Sequence, residues 1–260
     1  MASTSTRWRW ITIGLVSCIL VLVVLNGVLM LLRASPEAEI AAVPGRLLYT
    51  TTFEDAQRAD WQLGDNPQQA VIEQGELRLS VDAESSPYFV VLSRTLSDMD
   101  VRINVKWLAA PDVRGQIGIR FREDTDTSDA GYYEFKLDNR GAYRVEIVRS
   151  GHMPEVLSDW QITPFALNGK EQINQVRIVA KAFVFSFYVN DQALPLCLKG
   201  QEAAPKWTSI DSGTCKTDGQ RVRTELVEQT MNSGVMSIGV YSDAGTFSTA
   251  FDNLLIYGPR

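Results

Sequence analysis

Glu134 and Asp138 come closest, in this chain of 260 residues, to a pair of carboxylates placed for work on one bond. On a strand, residues four apart share a face but lie about 13 Å apart. A retaining glycosidase holds its two carboxyl groups about 5–5.5 Å apart. The spacing therefore describes a solvated strand face better than an acid and a nucleophile. The only histidine, His152, sits in the turn-like Ser150-Gly151-His152-Met153. A Ser-His-Asp triad needs one histidine, but no Gly-x-Ser-x-Gly elbow accompanies it, and it reads as a surface turn residue.

Binding chemistry is better represented. Arg120, Arg122, Tyr132, Glu134, Lys136, Arg144 and Glu146 occupy the polar phase of three alternating segments. If those segments are neighbouring strands, the seven side chains form one outward surface. Such a surface grips a glycan or a peptide through ring stacking and charged hydrogen bonds. The same composition also stabilises a sheet through cross-strand ion pairs, about 0.2–1 kcal/mol each. Trp160 and Trp207, in loop-like stretches, are further ligand contacts or lids over the core. The acidic run from Glu123 to Asp129 lacks the Gly and terminal Glu of an EF-hand loop and reads as a hairpin tip.

Three segments must carry these residues. Ile11 to Leu32 is a run of 22 residues without a charge, about 33 Å as a helix and enough to cross a bilayer core of about 30 Å. It is longer than the apolar region of a signal peptide and lacks a small-x-small cleavage site. The expectation is an uncleaved transmembrane helix over 11–32. Arg7 and Arg9 precede it and Arg33 follows, so residues 1–10 are placed in the cytoplasm and the remainder outside. Asn26-Gly27 interrupts the span and suits either a tolerated polar residue or a contact with a partner helix. Residues 33–46, with Pro36 and Pro44, form a short linker. The third segment, 47–260, holds everything else.

The charge count narrows the partners. The whole chain carries a net charge of −6. Setting aside residues 1–33, with three Arg and no acid, leaves 22 basic against 31 acidic residues, a net of −9. This argues against nucleic acid and against adhesion to anionic headgroups through a basic face. Cys197 and Cys215 flank an irregular stretch in the extracytoplasmic part and are expected to pair, while Cys18 lies in the span.

From Leu47 onward the hydrophobic period is two. Val101, Ile103, Val105 and Trp107 alternate with polar residues, as do Ile117–Phe121, Tyr133–Leu137 and Tyr143–Ile147. Further strands are expected at Leu48–Phe53, Val71–Val81, Tyr88–Leu96, Val176–Lys181, Val184–Val189, Val235–Tyr241 and Phe251–Tyr257. Asp138-Asn139-Arg140-Gly141 and Asn190-Asp191 supply hairpin turns. About a dozen strands with no compositional break predict one all-β sandwich. Two immunoglobulin-like domains are the alternative, but the Cys…Trp…Cys spacing is missing.

The runs Gly118-Ile119-Arg120-Phe121-Arg122, Gly131-Tyr132-Tyr133-Glu134-Phe135 and Arg140-Gly141-Ala142-Tyr143-Arg144-Val145 resemble the concanavalin A-like lectin/glucanase superfamily. The stretches from Asn174 to Lys181 and from Phe185 to Asn190, and the closing Phe251-Asp252-Asn253-Leu254, continue the likeness, which is nearest to bacterial laminin G-like extracytoplasmic modules. The resemblance implies a two-sheet antiparallel jelly-roll sandwich. It also implies a structural calcium near the first and last strands, with Glu54 or Asp55 and Asp252 as the matching positions. The Glu-x-Asp-x-x-Glu run of the related glucanases is absent. The expectation is a membrane-anchored, noncatalytic, extracytoplasmic module that binds a glycan, cell-wall component or protein. A scaffold subunit of a membrane complex and a hydrolase with a non-standard site are the alternatives.

Overall fold

The structure, a computed structural model, describes residues 42–54, 59–109, 112–124, 130–198 and 223–260. The expected span at 11–32, Trp207 and Asp55 lie outside them. Among the described residues no helix is long and apolar enough to cross a membrane.

Among the described residues sixteen strands follow one another: β1 (Leu47–Thr51), β2 (Trp61–Gln62), β3 (Ala70–Glu73), β4 (Glu76–Asp82), β5 (Tyr88–Leu96), β6 (Met99–Trp107), β7 (Gly115–Asp124), β8 (Gly131–Asp138), β9 (Ala142–Arg149), β10 (Glu155–Ile162), β11 (Ile173–Lys181), β12 (Val184–Val189), β13 (Gln192–Ala193), β14 (Glu225–Val227), β15 (Gly234–Ser242) and β16 (Thr246–Tyr257). They form two antiparallel sheets. One has seven strands in the order β10-β9-β8-β7-β15-β5-β2. The other has nine, in the order β13-β12-β11-β6-β16-β4-β3, with β1 beside β16 and β14 beside β12.

The period-two pattern decides which residues enter the core. Val101, Ile103, Val105 and Trp107 are buried, as are Ile117, Ile119, Phe121, Tyr133, Phe135 and Leu137. The two sheets meet through aromatic rings. Phe121 and Tyr133 lie 5.4 Å apart, Tyr133 is 4.8 Å from Phe185, and Phe135 stacks at 5.3 Å on Phe187. Offset and tilted packing at these separations suits the ring quadrupoles.

Turns fix the register. Asn190 and Asp191 both adopt positive φ, and Val189 pairs with Gln192, the geometry of a two-residue I′ hairpin. Asp138 Oδ1 accepts hydrogen bonds from the backbone N–H of Arg140 (2.9 Å) and Ala142 (2.6 Å), closing the β8–β9 turn. The expected single strand Val71–Val81 is two strands. Gln74 and Gly75, both at positive φ, turn the chain between them, and Glu73 pairs with Glu76. Trp160, read from the sequence as loop, lies in β10. That strand pairs with β9 through register shifts at Val156/Ser158 and Ser158/Gln161, which erase the alternation that would have marked it.

Candidate functional site

Six of the seven expected site residues meet on the outer face of the seven-stranded sheet. Register places Ser237, Arg120, Glu134 and Glu146 in one row across β15, β7, β8 and β9. The next row holds Gly239, Gly118, Lys136 and Arg144. Tyr132 borders Arg120.

Opposite charges alternate over this face. Lys136 Nζ lies 2.6 Å from Glu146 Oε2 and 3.9 Å from Glu134 Oε2. Arg144 Nη2 lies 2.7 Å from Glu146 Oε1. Arg120 spans Glu134 at 3.8 Å and Glu123 at 3.9 Å. The Tyr241 hydroxyl donates to Glu134 Oε1, and the Ser237 hydroxyl donates to Glu123. Burial pushes the Glu134 carboxyl above its ordinary pKa. Lys136, Arg120 and the Tyr241 hydrogen bond oppose that shift, and Glu146 adds to it. Burial, and then the Glu134 charge, push the Tyr241 phenol up.

Aromatic rings organise the cations. The Arg120 guanidinium carbon sits 3.4 Å from the Phe89 ring centroid and 4.2 Å from that of Tyr132. Lys136 Nζ lies 4.8 Å from the Tyr241 ring, and Arg144 lies 5.8 Å from Trp160. Two glycines make room for this layer. A Cβ on Gly118 would collide with Glu134 Oε1, and one on Gly239 would run into the Phe89 ring. The Nε atoms of Arg120 and Arg144 are buried without a hydrogen-bond partner. Sequence reasoning missed Phe89 and Tyr241, because only strand order shows that β15 lies beside β7 and β5 next beyond it.

Arg122 is not on this face. It has φ of 52° within the β7 irregularity between Phe121 and Asp124, and its side chain is 1% exposed. It donates to the carbonyls of Ser97 (3.1 Å), Met231 (2.9 Å) and Ala182 (2.6 Å), and pairs with Asp98 at 3.3 Å. The bulge rotates the residue out of the alternation that had placed it beside Arg120.

The remaining candidates divide as follows. His152 is exposed in a turn, its Nδ1 2.9 Å from the Ser150 carbonyl. Both Asp252 oxygens accept from Asn253, at 2.6 and 2.7 Å, and Glu54 is exposed. Among the described residues no group of three or more His, Cys, Asp or Glu could hold a metal ion. Asp55, the alternative to Glu54 in the expected calcium set, lies outside the described residues. Cys197 is buried and disulfide-bonded, and its expected partner Cys215 lies outside the described residues.

No family model matches the chain, and no curated protein matches it in sequence. Among solved structures the chain is similar to a protein of unknown function with a galectin-like fold from Bacillus subtilis. The TM-score is 0.56 at 10% identity, covering 85% of this chain and 100% of that one. It is similar to LamAcat from Zobellia galactanivorans, with TM-score 0.53, 10% identity, and 81% and 97% covered. It is also similar to the laminarinase catalytic domain of Thermotoga maritima, with TM-score 0.52, 11% identity, and 84% and 100% covered. These likenesses show the fold, a two-sheet antiparallel β-sandwich.

Proposed function

We propose that this chain is a noncatalytic glycan-binding module, tethered to a membrane by residues 11–32 and displayed on the extracytoplasmic side. The observation that carries the reading is the outer face of the seven-stranded sheet. There the half-buried rings of Trp160, Tyr132 and Phe89 lie beside the guanidinium groups of Arg144 and Arg120, whose side chains are partly exposed. Half-buried rings stack on the apolar faces of sugars, and fixed guanidinium groups donate to hydroxyls. The cations Arg120, Lys136 and Arg144 are balanced by Glu123, Glu134 and Glu146. A face without net charge suits a neutral saccharide.

Glu134 and Glu146 are paired in register, so their Cβ atoms lie about 4.5–5.5 Å apart. That is near the separation a retaining glycosidase uses. However, the two residues are 1% and 3% exposed and are bonded to Lys136, Arg144 and Tyr241. A carboxylate that attacks or protonates a sugar must reach it, which favours binding over hydrolysis.

The test uses the full-length protein in mild detergent on an array of neutral and acidic glycans. Laminarin fragments are the first probes, because one fold neighbour is named a laminarinase catalytic domain and another was solved with laminaritriose and laminaritetraose. Saturable capture of a neutral glucan, with no release of reducing ends, is the expected result. Product release, or no capture of any neutral glycan, would overturn the reading.

A further inference from the structure

The nine-stranded sheet carries a groove of about 840 Å³ on its outer face, on the opposite side of the sandwich from the surface just described. Its floor is built from outward residues of β14, β12, β11, β6 and β16, and Gly45, Gly258 and Arg260 close one end. We propose that this groove is a second saccharide site, selective for carboxylate-bearing (uronate) oligosaccharides.

Charge is the first argument. Arg102, Arg177, Lys181 and Arg260 line the groove against Asp100 and Glu225, a side-chain excess of two positive charges on a protein of net charge −6. A local cationic cleft in an acidic molecule concentrates anions and holds them in a partly desolvated setting.

Geometry is the second. Arg102 and Arg177 stand directly opposite each other on β6 and β11, an arrangement that like charges disfavour. Asp100, 7% exposed, holds them together. Arg177 donates through Nε at 2.7 Å and Nη2 at 2.8 Å, and Arg102 Nη2 approaches at 3.4 Å. Each guanidinium also lies against a tyrosine, Arg177 at 4.8 Å from the Tyr188 ring and Arg102 at 5.8 Å from Tyr257. Both guanidinium groups are thereby held in place before a ligand arrives; Asp100 takes the Nε–Nη2 edge of Arg177, and the donors of the two groups that it does not take are the ones offered to a ligand carboxylate.

Size and hydroxyls complete the case. The volume falls within the roughly 300–1,000 Å³ of ligand clefts and far exceeds what one small anion fills. Ser186, Tyr188 and Tyr257 bring hydroxyl groups to the same floor, suited to the neutral hydroxyls of a sugar chain.

The experiment is a titration of the full-length protein in mild detergent with tetragalacturonate. Inorganic phosphate, a neutral tetrasaccharide of glucose and phosphatidylglycerol vesicles serve as separate arms. The expected result is saturable binding of tetragalacturonate that weakens as salt rises. Arg102→Gln should weaken it at least tenfold while leaving the Arg177–Asp100 pair in place. Ser186→Trp, which fills the groove without touching that pair, should abolish it. Trp160→Ala should leave it unchanged, which separates this site from the neutral-glycan face. Absence of tetragalacturonate binding would overturn the proposal. So would equal affinity for the neutral tetrasaccharide, vesicle binding without tetragalacturonate binding, phosphate binding of equal strength, or indifference to both groove variants.

Discussion

Glu134 and Glu146 face each other across β8 and β9, two nearly buried carboxylates separated by one cross-strand step and joined by the single ammonium of Lys136. The pair is a structural charge network, and its pH response distinguishes it from exposed ion pairs. Burial first, with Glu146 adding, holds the Glu134 carboxyl above its ordinary value of 4.5, against Lys136, Arg120 and Tyr241. A carboxyl whose pKa is higher folded than unfolded binds its proton more tightly in the native state. Its charged form therefore costs stability at neutral pH, and that cost disappears as pH falls through the raised value toward 4.5. Thermal unfolding of wild type and Glu134→Gln should show wild type gaining ground on the variant as pH falls from 7 toward 4.5.

Glu76 should behave in the opposite sense. Burial raises its pKa, but hydrogen bonds from Lys106 and Arg78 outweigh burial and leave it below 4.5. Its stabilisation is present above 4.5 and is lost as pH falls through the lowered value. Glu76→Gln should therefore lower the melting temperature at pH 6, and the difference from wild type should shrink in acid.

Arg122 ties the β7 irregularity to the carbonyls of Ser97, Met231 and Ala182. Truncation to Ala leaves these acceptors and Asp98 without their cation. The expected loss is about 3–5 kcal/mol by guanidinium unfolding, the usual scale for breaking a buried charge network. Arg122→Lys should recover only part of it, because one ammonium cannot reach all four acceptors in the same geometry.

A methyl group at Gly239 meets the Phe89 ring. Since Phe89 packs on the Arg120 guanidinium, Gly239→Ala should displace both. Overpacking of this kind costs about 1–3 kcal/mol. A lowered melting temperature together with weakened glucan binding is the expected pair of readings.

Much of the fold was legible because one face of most long strands is buried. β5 and β12 occur at the expected bounds, and Val101, Ile103, Val105 and Trp107 are all core. What escaped had physical reasons. β10 is bulged, β2 and β13 are two residues long, and the Gln74-Gly75 turn lies inside a continuous hydrophobic alternation. The shared outer face of Arg120, Glu134, Lys136, Arg144 and Glu146 was legible because alternation held there. Alternation failed at Arg122, where positive φ rotates the side chain away. The Glu134–Glu146 pairing and the Arg102–Arg177–Asp100 arrangement depend on inter-strand register, which no single strand's sequence encodes.

Cys197 is disulfide-bonded, and Cys215 is the expected partner. Peptide mapping without reduction should recover a 197–215 crosslink. Closing a loop of this size contributes about 3 kcal/mol in the chain-entropy model, so Cys215→Ser should lower the melting temperature measurably.

The central claim is that the outer face of the seven-stranded sheet binds a neutral saccharide without cleaving it. Titration of the full-length protein in mild detergent with laminarin tetrasaccharide, wild type beside Trp160→Ala, tests it most directly. Saturable wild-type binding that weakens about tenfold in the variant, a difference of about 1.4 kcal/mol, with the ligand recovered intact, is the predicted result. No wild-type binding of this or any other neutral glucan, equal binding by both proteins, or shortened ligand would contradict it.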